Sequence, residues 1–194
     1  MPERTQSSDR MTSIGRALYR CIREQGYANT KLQDIAKQAD MTPSHVRYYF
    51  TGKQAILEWY FKETSQGYQA GMRQMVQSPP ADPVAALAGA FVPESPKRRA
   101  NLGVFIELRT LALHHAPLLK QLKAHDRVQI GSIALLLEPV VGKTDPVAAA
   151  EIAYSLAQGL YMGETLQRFE TRSAREYFSA TLRALIDSQL ISDR

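Results

Sequence analysis

The clearest candidate for chemistry is the segment QADMTPSHVRYYFTGK, residues 38–53. Its centre carries hydroxyl, imidazole, guanidinium and phenol groups on Ser44, His45, Arg47 and Tyr48. Val46 and Phe50, four positions apart, can face inward from a helix and leave those four side chains on its exposed face. A guanidinium can hold a phosphate, or bind O6 and N7 of guanine, if it reaches the major groove. The segment therefore predicts an exposed surface suited to nucleic acid.

Two short helices joined by a tight turn would position this surface. Residues 30–33, TKLQ, match a capping box and predict that one helix starts at Thr30. That helix is interrupted at Asp40, where the turn requires a positive φ that aspartate tolerates better than most residues. Thr42 then supplies a cap and Pro43 fits the first helical position. Lys53 begins a longer helix.

An amphipathic helix precedes this pair. Its apolar residues recur at helical spacing from residue 11: Ile14, Ala17, Leu18, Cys21 and Ile22. Thr12 or Ser13 is expected to cap its start, Gly26 is expected to end it in the left-handed conformation, and the first ten or so residues are expected to be mobile. Cys21 lies on the apolar stripe, which favours a buried thiol over a reactive one.

The remainder of the chain is also helical in pattern. Prolines and Gly142 divide it into predicted helices at about 83–92, 98–115, 117–138, 146–168 and 173–190. The predicted fold is all-α, with an N-terminal three-helix domain at residues 10–61 and a larger helical domain at residues 62–194.

Composition and charge limit the class of protein. The 194 residues are 44% hydrophobic with a formal net charge of +5, and residues 1–53 hold nine Lys/Arg against five Asp/Glu. A basic excess confined to one end suits a polyanionic partner. No apolar run reaches the roughly 18–20 residues that span a bilayer, and the start has no signal-peptide pattern. One cysteine cannot form an internal disulfide. We expect a cytoplasmic protein without membrane contact.

The N-terminal pattern resembles the DNA-binding domain of TetR-family transcriptional regulators over about residues 10–61. The matching residues are Gly26, Tyr27, Thr30, Asp34, Ile35, Ala36, Ala39, Thr42, Val46, Tyr49, Phe50, Lys53, Ile56 and Leu57. Three positions depart from the family pattern: Asp40 and Ser44 replace frequent glycines, and Arg47 replaces a tyrosine that contacts the DNA backbone in many relatives.

The resemblance implies a homodimer that binds a palindromic double-stranded DNA operator, usually as a repressor. The residues expected at the DNA are Thr30, Lys31, Thr42, Ser44, His45, Arg47, Tyr48, Tyr49 and Lys53. Among these, Thr30, Lys31, Tyr49 and Lys53 are expected to contact phosphates. The last two helices are expected to pair with a second subunit through Ile152, Leu156, Leu160, Tyr177, Leu182, Leu185 and Ile186.

Regulators of this kind commonly bind a small molecule in the C-terminal domain. The expected lining residues are Met72, Met75, Phe105, Leu108, Leu111, His115, Tyr154, Tyr161, Met162 and Phe169. Their apolar and aromatic character predicts a hydrophobic or amphipathic effector, although the same residues also suit a plain core. No cofactor is expected.

Other functions have less support in the sequence. His114 and His115 are adjacent and would point about 100° apart on a helix, so no metal site is expected. An enzyme would need a nucleophile with a base, a pair of carboxylates or a glycine-rich phosphate loop, and the sequence shows none of these patterns. An adaptor that keeps the fold but has lost specific DNA binding stays open, as does, more remotely, an all-α enzyme.

Overall fold

The computed structural model describes the main chain of residues 2–92 and 96–188, and the side chains of residues 7–92 and 104–188. Within these residues the protein is all-α, as predicted, with nine helices. They are α1 (Pro2–Asn29), α2 (Leu32–Gln38), α3 (Pro43–Tyr49), α4 (Lys53–Gln77), α5 (Pro83–Phe91), α6 (Pro96–Ala112), α7 (Ala116–Leu137), α8 (Pro146–Thr165) and α9 (Ala174–Ser188). None of the described helices is both long and apolar enough to cross a membrane.

The chain divides into two compact units. The first comprises Met1–Gly67 and Gly103–Leu122. Its core joins the predicted stripe of α1 to the inner faces of α2, α3 and α4, and also takes in Val104, Leu108 and Ala112 of α6. The first unit is therefore larger than the functional domain predicted at residues 10–61, because part of α6 and the start of α7 complete its core. The functional boundary after residue 61 stays a prediction.

The second unit comprises Tyr68–Leu102 and Lys123–Arg194. Its core is built on small residues of α8, among them Ala149, Ala150 and Ala153, which are at most 1% exposed. Such residues let neighbouring helices approach closely, and Phe178 and Leu182 of α9 fill the space between them.

Two predictions about α1 need correction. The helix begins at Pro2 and not at Thr12 or Ser13, because a helix already in progress needs no cap there. Gly26 has the expected positive φ of 76°, but its ψ of 159° lies outside the left-handed helical region. That combination is essentially restricted to glycine. The chain therefore kinks at Gly26, and helical structure continues to Asn29.

The predicted capping box is displaced by one residue. The N-cap of α2 is Lys31, whose main-chain N–H donates to Asp34 Oδ2 at 2.8 Å. Thr30 is only 1% exposed, and its hydroxyl donates to the carbonyl of Gly26 at 2.7 Å. The Thr30 hydroxyl therefore bonds to the kinked backbone at Gly26 and does not cap the start of α2. The pKa of Asp34 falls below its ordinary value, mainly because its carboxylate accepts from Lys31.

The later helices follow the predicted blocks closely. Pro83 and Pro146 each occupy a first-turn position, after the capping carboxylates Asp82 and Asp145. The predicted end of the last helix at residue 190 lies outside the described residues.

Candidate nucleic-acid interface

The turn between α2 and α3 is closed by main-chain hydrogen bonds. Asp40 has a φ of 55°, as predicted. Its N–H donates to the carbonyl of Lys37 at 3.2 Å, and the N–H of Met41 donates to that of Ala36 at 2.9 Å. This pair of bonds is the Schellman arrangement, in which a residue with positive φ ends a helix. Aspartate therefore serves in place of glycine at this position.

Helix α3 starts and packs as its sequence predicts. The Thr42 side chain accepts from the N–H of His45 at 3.2 Å, and Pro43 occupies the first turn. Val46 is fully buried and Phe50 is 6% exposed, and both belong to the core of the first unit. These two contacts fix the rotation of the helix about its own axis. The opposite face is therefore held toward solvent.

That exposed face carries the chemistry expected of it. Ser44, His45 and Arg47 are exposed, and Tyr48 is 81% exposed. Tyr49 is half-buried, and its ring lies 5.0 Å from Tyr48 and 5.5 Å from His45, measured between centroids. Tyr49 thus supports the rings beside it and also packs against the core. The face offers one guanidinium, one imidazole, hydroxyl groups and an aromatic surface, which together can bind phosphate or base edges.

The lysines flanking α3 differ in their surroundings. Lys31 is exposed at the start of α2. Lys53 is half-buried at the start of α4, where its Nζ donates to the carbonyl of Tyr27 at 2.7 Å and lies 4.2 Å from the centroid of that ring. Burial lowers the pKa of Lys53. One of its three N–H donors is engaged within the chain.

Thr30 does not join this exposed set. Its side chain is buried and its hydroxyl already donates to Gly26, so it supports the α1–α2 connection. The other eight residues predicted at the DNA are exposed or half-buried. Their contacts with DNA stay predictions.

The contact between Tyr27 and Glu107 in this region was not predicted from the sequence. Glu107 of α6 accepts the N–H of Tyr27 through Oε1 at 2.5 Å. Tyr27 precedes Lys53 by 26 positions and Glu107 follows Tyr27 by 80. Contacts across such separations leave no local pattern in the sequence.

The ten residues predicted to line an effector pocket fall into both units. Four lie in the first: Phe105, Leu108, Leu111 and His115. Leu108 belongs to the core of the first unit, and Phe105 and Leu111 pack against that core. The Phe105 ring lies 5.9 Å from the Phe61 ring. His115 sits beside Gln54 and Glu58 of α4, with 3.5 Å between His115 Nε2 and Glu58 Oε1. These four therefore have structural roles within the first unit.

The other six lie in the second unit: Met72, Met75, Tyr154, Tyr161, Met162 and Phe169. Met72, Tyr154 and Tyr161 are buried, and the Tyr154 hydroxyl donates to Asp126 Oδ1 at 2.8 Å. Phe169 lines an open groove of about 440 Å³ beside the start of α9. The pocket stays a prediction.

The interior of the second unit also contains polar side chains that were not predicted. His125 and Gln129 of α7 are 4% and 2% exposed, with 3.5 Å between their side-chain nitrogens. Within the described residues, Gln129 Oε1 accepts no hydrogen bond. The sequence does contain a pattern that indicates their burial. Both residues continue the helical stripe begun by Leu118 and Leu122, and they interrupt its apolar character before Ile133.

The residues predicted for a subunit interface lie on α8 and α9, which pack together within the second unit. Leu182 is 1% exposed and serves the core, whereas Leu156, Leu160, Leu185 and Ile186 pack against that core and are half-buried. Ile152 is 38% exposed. The Tyr177 hydroxyl lies 2.9 Å from that of Thr171. Apart from Leu182, the set keeps some exposure, and its pairing with a second subunit stays a prediction.

Metal binding finds no support in the part of the chain whose structure is described. No group of three or more His, Cys, Asp or Glu side chains there could hold an ion. Cys21 is buried, and burial raises the pKa of its thiol, which agrees with the structural role predicted for it.

Comparison of the sequence with known proteins identifies a family whose model matches the region of helices α1 to α4. Residues 14–59 match the family model described as bacterial regulatory proteins, tetR family. A probable HTH-type transcriptional regulator of Bacillus subtilis, YttP, is 38% identical over 45 residues, which are 23% of this chain and 22% of that protein. The sequence match to this relative thus spans less than a quarter of either chain.

Solved structures resemble the whole fold at low identity. A TetR transcription regulator from Haloarcula marismortui has a TM-score of 0.78 at 16% identity, over 93% of this chain and 98% of that one. A putative regulator from Saccharomonospora viridis, solved in complex with choline, has a TM-score of 0.75 at 19% identity, over 96% and 100%. Reduced NemR of E. coli has a TM-score of 0.72 at 14% identity, over 90% and 96%. At these identities the likeness concerns the fold.

Proposed function

Because residues 14–59 make the chain a member of the TetR family of bacterial transcriptional regulators, we propose that it binds a palindromic operator as a homodimer and leaves it when a small molecule binds. In this proposal the protein represses transcription by occupying the operator. The single observation that supports it best is the exposed face of α3, where Arg47 and Tyr48 project from a helix held by buried Val46.

The proposed docking follows from this packing. Helix α3 enters the major groove with Ser44, His45, Arg47 and Tyr48 toward the base edges, while Lys31 and Lys53 hold phosphates on either side. Tyr49 supports the rings of His45 and Tyr48 and can reach a phosphate with its hydroxyl. Thr42 acts chiefly as the cap that sets the direction of the helix.

A mobility-shift titration tests the proposed operator binding. The wild-type chain is titrated into duplexes from the region upstream of its own gene, with a shuffled duplex of equal composition as control. We expect a specific complex whose affinity falls steeply as salt is raised, because counterions are released from the phosphates. If the two duplexes bind equally well at every salt concentration, the protein does not read sequence and the operator proposal is wrong.

Dimerisation is proposed because one such domain contacts only a few base pairs. Two copies related by a two-fold axis would place their α3 helices about 34–36 Å apart, one helical turn of DNA. The exposed Ile152 and the half-buried Leu156 and Leu185 supply apolar surface for the contact. Light scattering after gel filtration tests this pairing. A Leu156→Lys variant should be monomeric and bind DNA weakly, and a monomeric wild type would contradict the proposal.

The effector is proposed to be amphipathic, with an N–H or O–H donor on an apolar body. Support comes from the second unit, where Gln129 Oε1 is a buried acceptor and the Gln129 amide lies beside His125. The same unit also buries the apolar and aromatic side chains of Met72, Tyr154 and Tyr161. A buried acceptor without a donor costs about 1–3 kcal/mol, and a ligand donor can recover it. The similar regulator from Saccharomonospora viridis was solved with choline, a hydroxyl-bearing cation.

Thermal-shift screening tests the proposed ligand chemistry. Amines and alcohols are compared with hydrocarbons of the same shape, for example benzylamine and benzyl alcohol with toluene. The donor-bearing compounds should raise Tm and weaken operator binding, and Gln129→Leu should reduce both effects. If toluene acts as strongly as benzylamine, or if none of these compounds acts, the proposed donor chemistry is wrong.

A further inference from the structure

Lys53 is held in place by a chain of contacts that begins on α6. Its Nζ donates to the carbonyl of Tyr27 at 2.7 Å and lies over the ring of the same residue. The N–H of Tyr27 in turn donates to Glu107 Oε1 at 2.5 Å. Both main-chain polar groups of one residue are thus bound by charged side chains, and such charge-assisted bonds are stronger than neutral ones.

The backbone around Tyr27 explains why a hydrogen-bond acceptor is needed there. The kink at Gly26, with φ 76° and ψ 159°, breaks the regular hydrogen bonding of α1 just before Tyr27. The freed N–H of Tyr27 is half-buried, and an unpaired donor there would cost free energy. Glu107 Oε1 also lies 3.5 Å from where a side chain on residue 26 would begin. That distance is an ordinary van der Waals contact, so the positive φ, and not the carboxylate, requires glycine at residue 26.

The surroundings of Lys53 make its position sensitive to this contact. Its side chain is partly desolvated, which lowers its pKa, so the ammonium gains from each fixed acceptor. The Tyr27 carbonyl also accepts the N–H of Thr30 at 3.2 Å, at the connection leading into α2. If Glu107 released the Tyr27 N–H, the peptide group between Gly26 and Tyr27 would lose its anchor, and Tyr27 would shift about its carbonyl bonds to Thr30 and Lys53. The carbonyl and the ring that fix the ammonium would then move with it.

We propose that Glu107 is a positioning residue for DNA binding, which sets the Tyr27 backbone so that Lys53 meets a phosphate. The proposal rests on the phosphate contact proposed for Lys53. Glu107 itself does not touch DNA in this arrangement and acts only through Tyr27. Its removal should therefore reproduce the loss of Lys53 instead of adding to it.

Two substitutions at Glu107 distinguish its role as a hydrogen-bond acceptor from the space that its side chain fills. Glu107→Gln keeps an oxygen acceptor for the Tyr27 N–H, whereas Glu107→Met has similar length and no comparable acceptor. Glu138→Gln, an exposed change in the turn after α7, is the matched control. Operator affinity is measured for each full-length variant across salt concentrations, alone and combined with Lys53→Ala, and Tm is recorded for each.

The expected result is a shared loss of salt dependence. Lys53→Ala and Glu107→Met should each lower the slope of log K against log salt by about 0.9 per protomer, and the double variant should lose no more than Lys53→Ala alone. Glu107→Gln should keep most of the slope, and Glu138→Gln should keep all of it. A purely structural role would lower Tm and leave the slope unchanged.

Each contrary outcome has one meaning. If Lys53→Ala lowers the slope but Glu107→Met does not, or if their losses add, the positioning role is wrong while the phosphate contact stands. If Lys53→Ala changes neither affinity nor slope although the wild type binds the operator, the contact itself is wrong and the positioning role with it. If Glu107→Met fails to fold, Glu107→Ala replaces it, and failure of both would assign Glu107 to folding alone and overturn the proposal.

Discussion

Replacing Arg47 by alanine distinguishes two ways in which α3 can hold DNA. Arg47 is exposed in the last turn of α3, while Val46 and Phe50 fix the helix from the other side. Its removal should therefore change the free energy of unfolding by less than about 0.5 kcal/mol. Any loss of operator binding then reflects a lost contact with DNA and not a misfolded domain.

The size of the loss depends on which group the guanidinium binds. A phosphate contact contributes about 0.9 to the slope of log K against log salt, so two contacts in a dimer contribute about 1.8. Relative to 1 M salt, that slope corresponds to roughly a 60-fold loss of affinity at 0.1 M, nearly independent of sequence. A contact to guanine would instead cost about 1–3 kcal/mol per half-site and relax the preference at one base position.

Fluorescence anisotropy with labelled operator measures both quantities. The titrations cover salt from about 50 to 200 mM and a set of operators with single base changes. Arg127→Ala, an exposed arginine of α7, is the control and should behave as wild type. The tyrosine that Arg47 replaces contacts the DNA backbone in many relatives, so we expect the phosphate result. Unchanged affinity and slope would refute any contact between Arg47 and DNA.

Three further predictions concern the chain itself. Asp40→Gly should raise the free energy of unfolding by up to about 1 kcal/mol in urea titrations, because glycine adopts the φ of 55° without strain; a lower value would contradict this reading of the turn. Cys21 is 2% exposed, so its thiol should react with a disulfide reagent only as the protein unfolds. Rapid labelling of the folded protein would contradict this burial. The pKa of Asp82 is lowered, first by the N–H of Ala85 and then by Arg183. The ionised Asp82 therefore stabilises the fold at pH values above its unfolded-state pKa, and this stabilisation is lost as the pH falls through its folded-state pKa. Asp82→Ala should make the free energy of unfolding fall less steeply at acid pH. An unchanged acid dependence would contradict this role of Asp82.

The sequence predicted the elements whose causes are local. Thr42 and Pro43 start α3 because a cap and a residue without an N–H suit those positions, and Val46 and Phe50 turn inward because they share one face. Asp40 was identified as the turn residue for its tolerance of positive φ. Each of these features depends on neighbours within about four positions.

Features that depend on distant partners were missed or misplaced. The residues TKLQ match a capping box, yet the Thr30 hydroxyl donates to the carbonyl of Gly26, because the kinked backbone brings that carbonyl within reach. The contact between Tyr27 and Glu107 joins residues 80 positions apart. His115 lies against Glu58 of α4, a neighbour that no local pattern in the sequence indicates. Only the packing of the helices determines which of these side chains meet.

In the proposed function, the exposed face of α3 reads DNA sequence from a two-fold symmetric dimer. Selection from random-sequence duplexes tests it most directly, with the wild-type chain beside a Ser44→Ala, His45→Ala, Arg47→Ala, Tyr48→Ala variant that keeps the buried face of α3. We expect the wild type to enrich an inverted repeat whose half-site centres lie about 34–36 Å apart, and the variant to enrich no motif. Failure of the wild type to enrich any motif, or enrichment of the same motif by the variant, would contradict it.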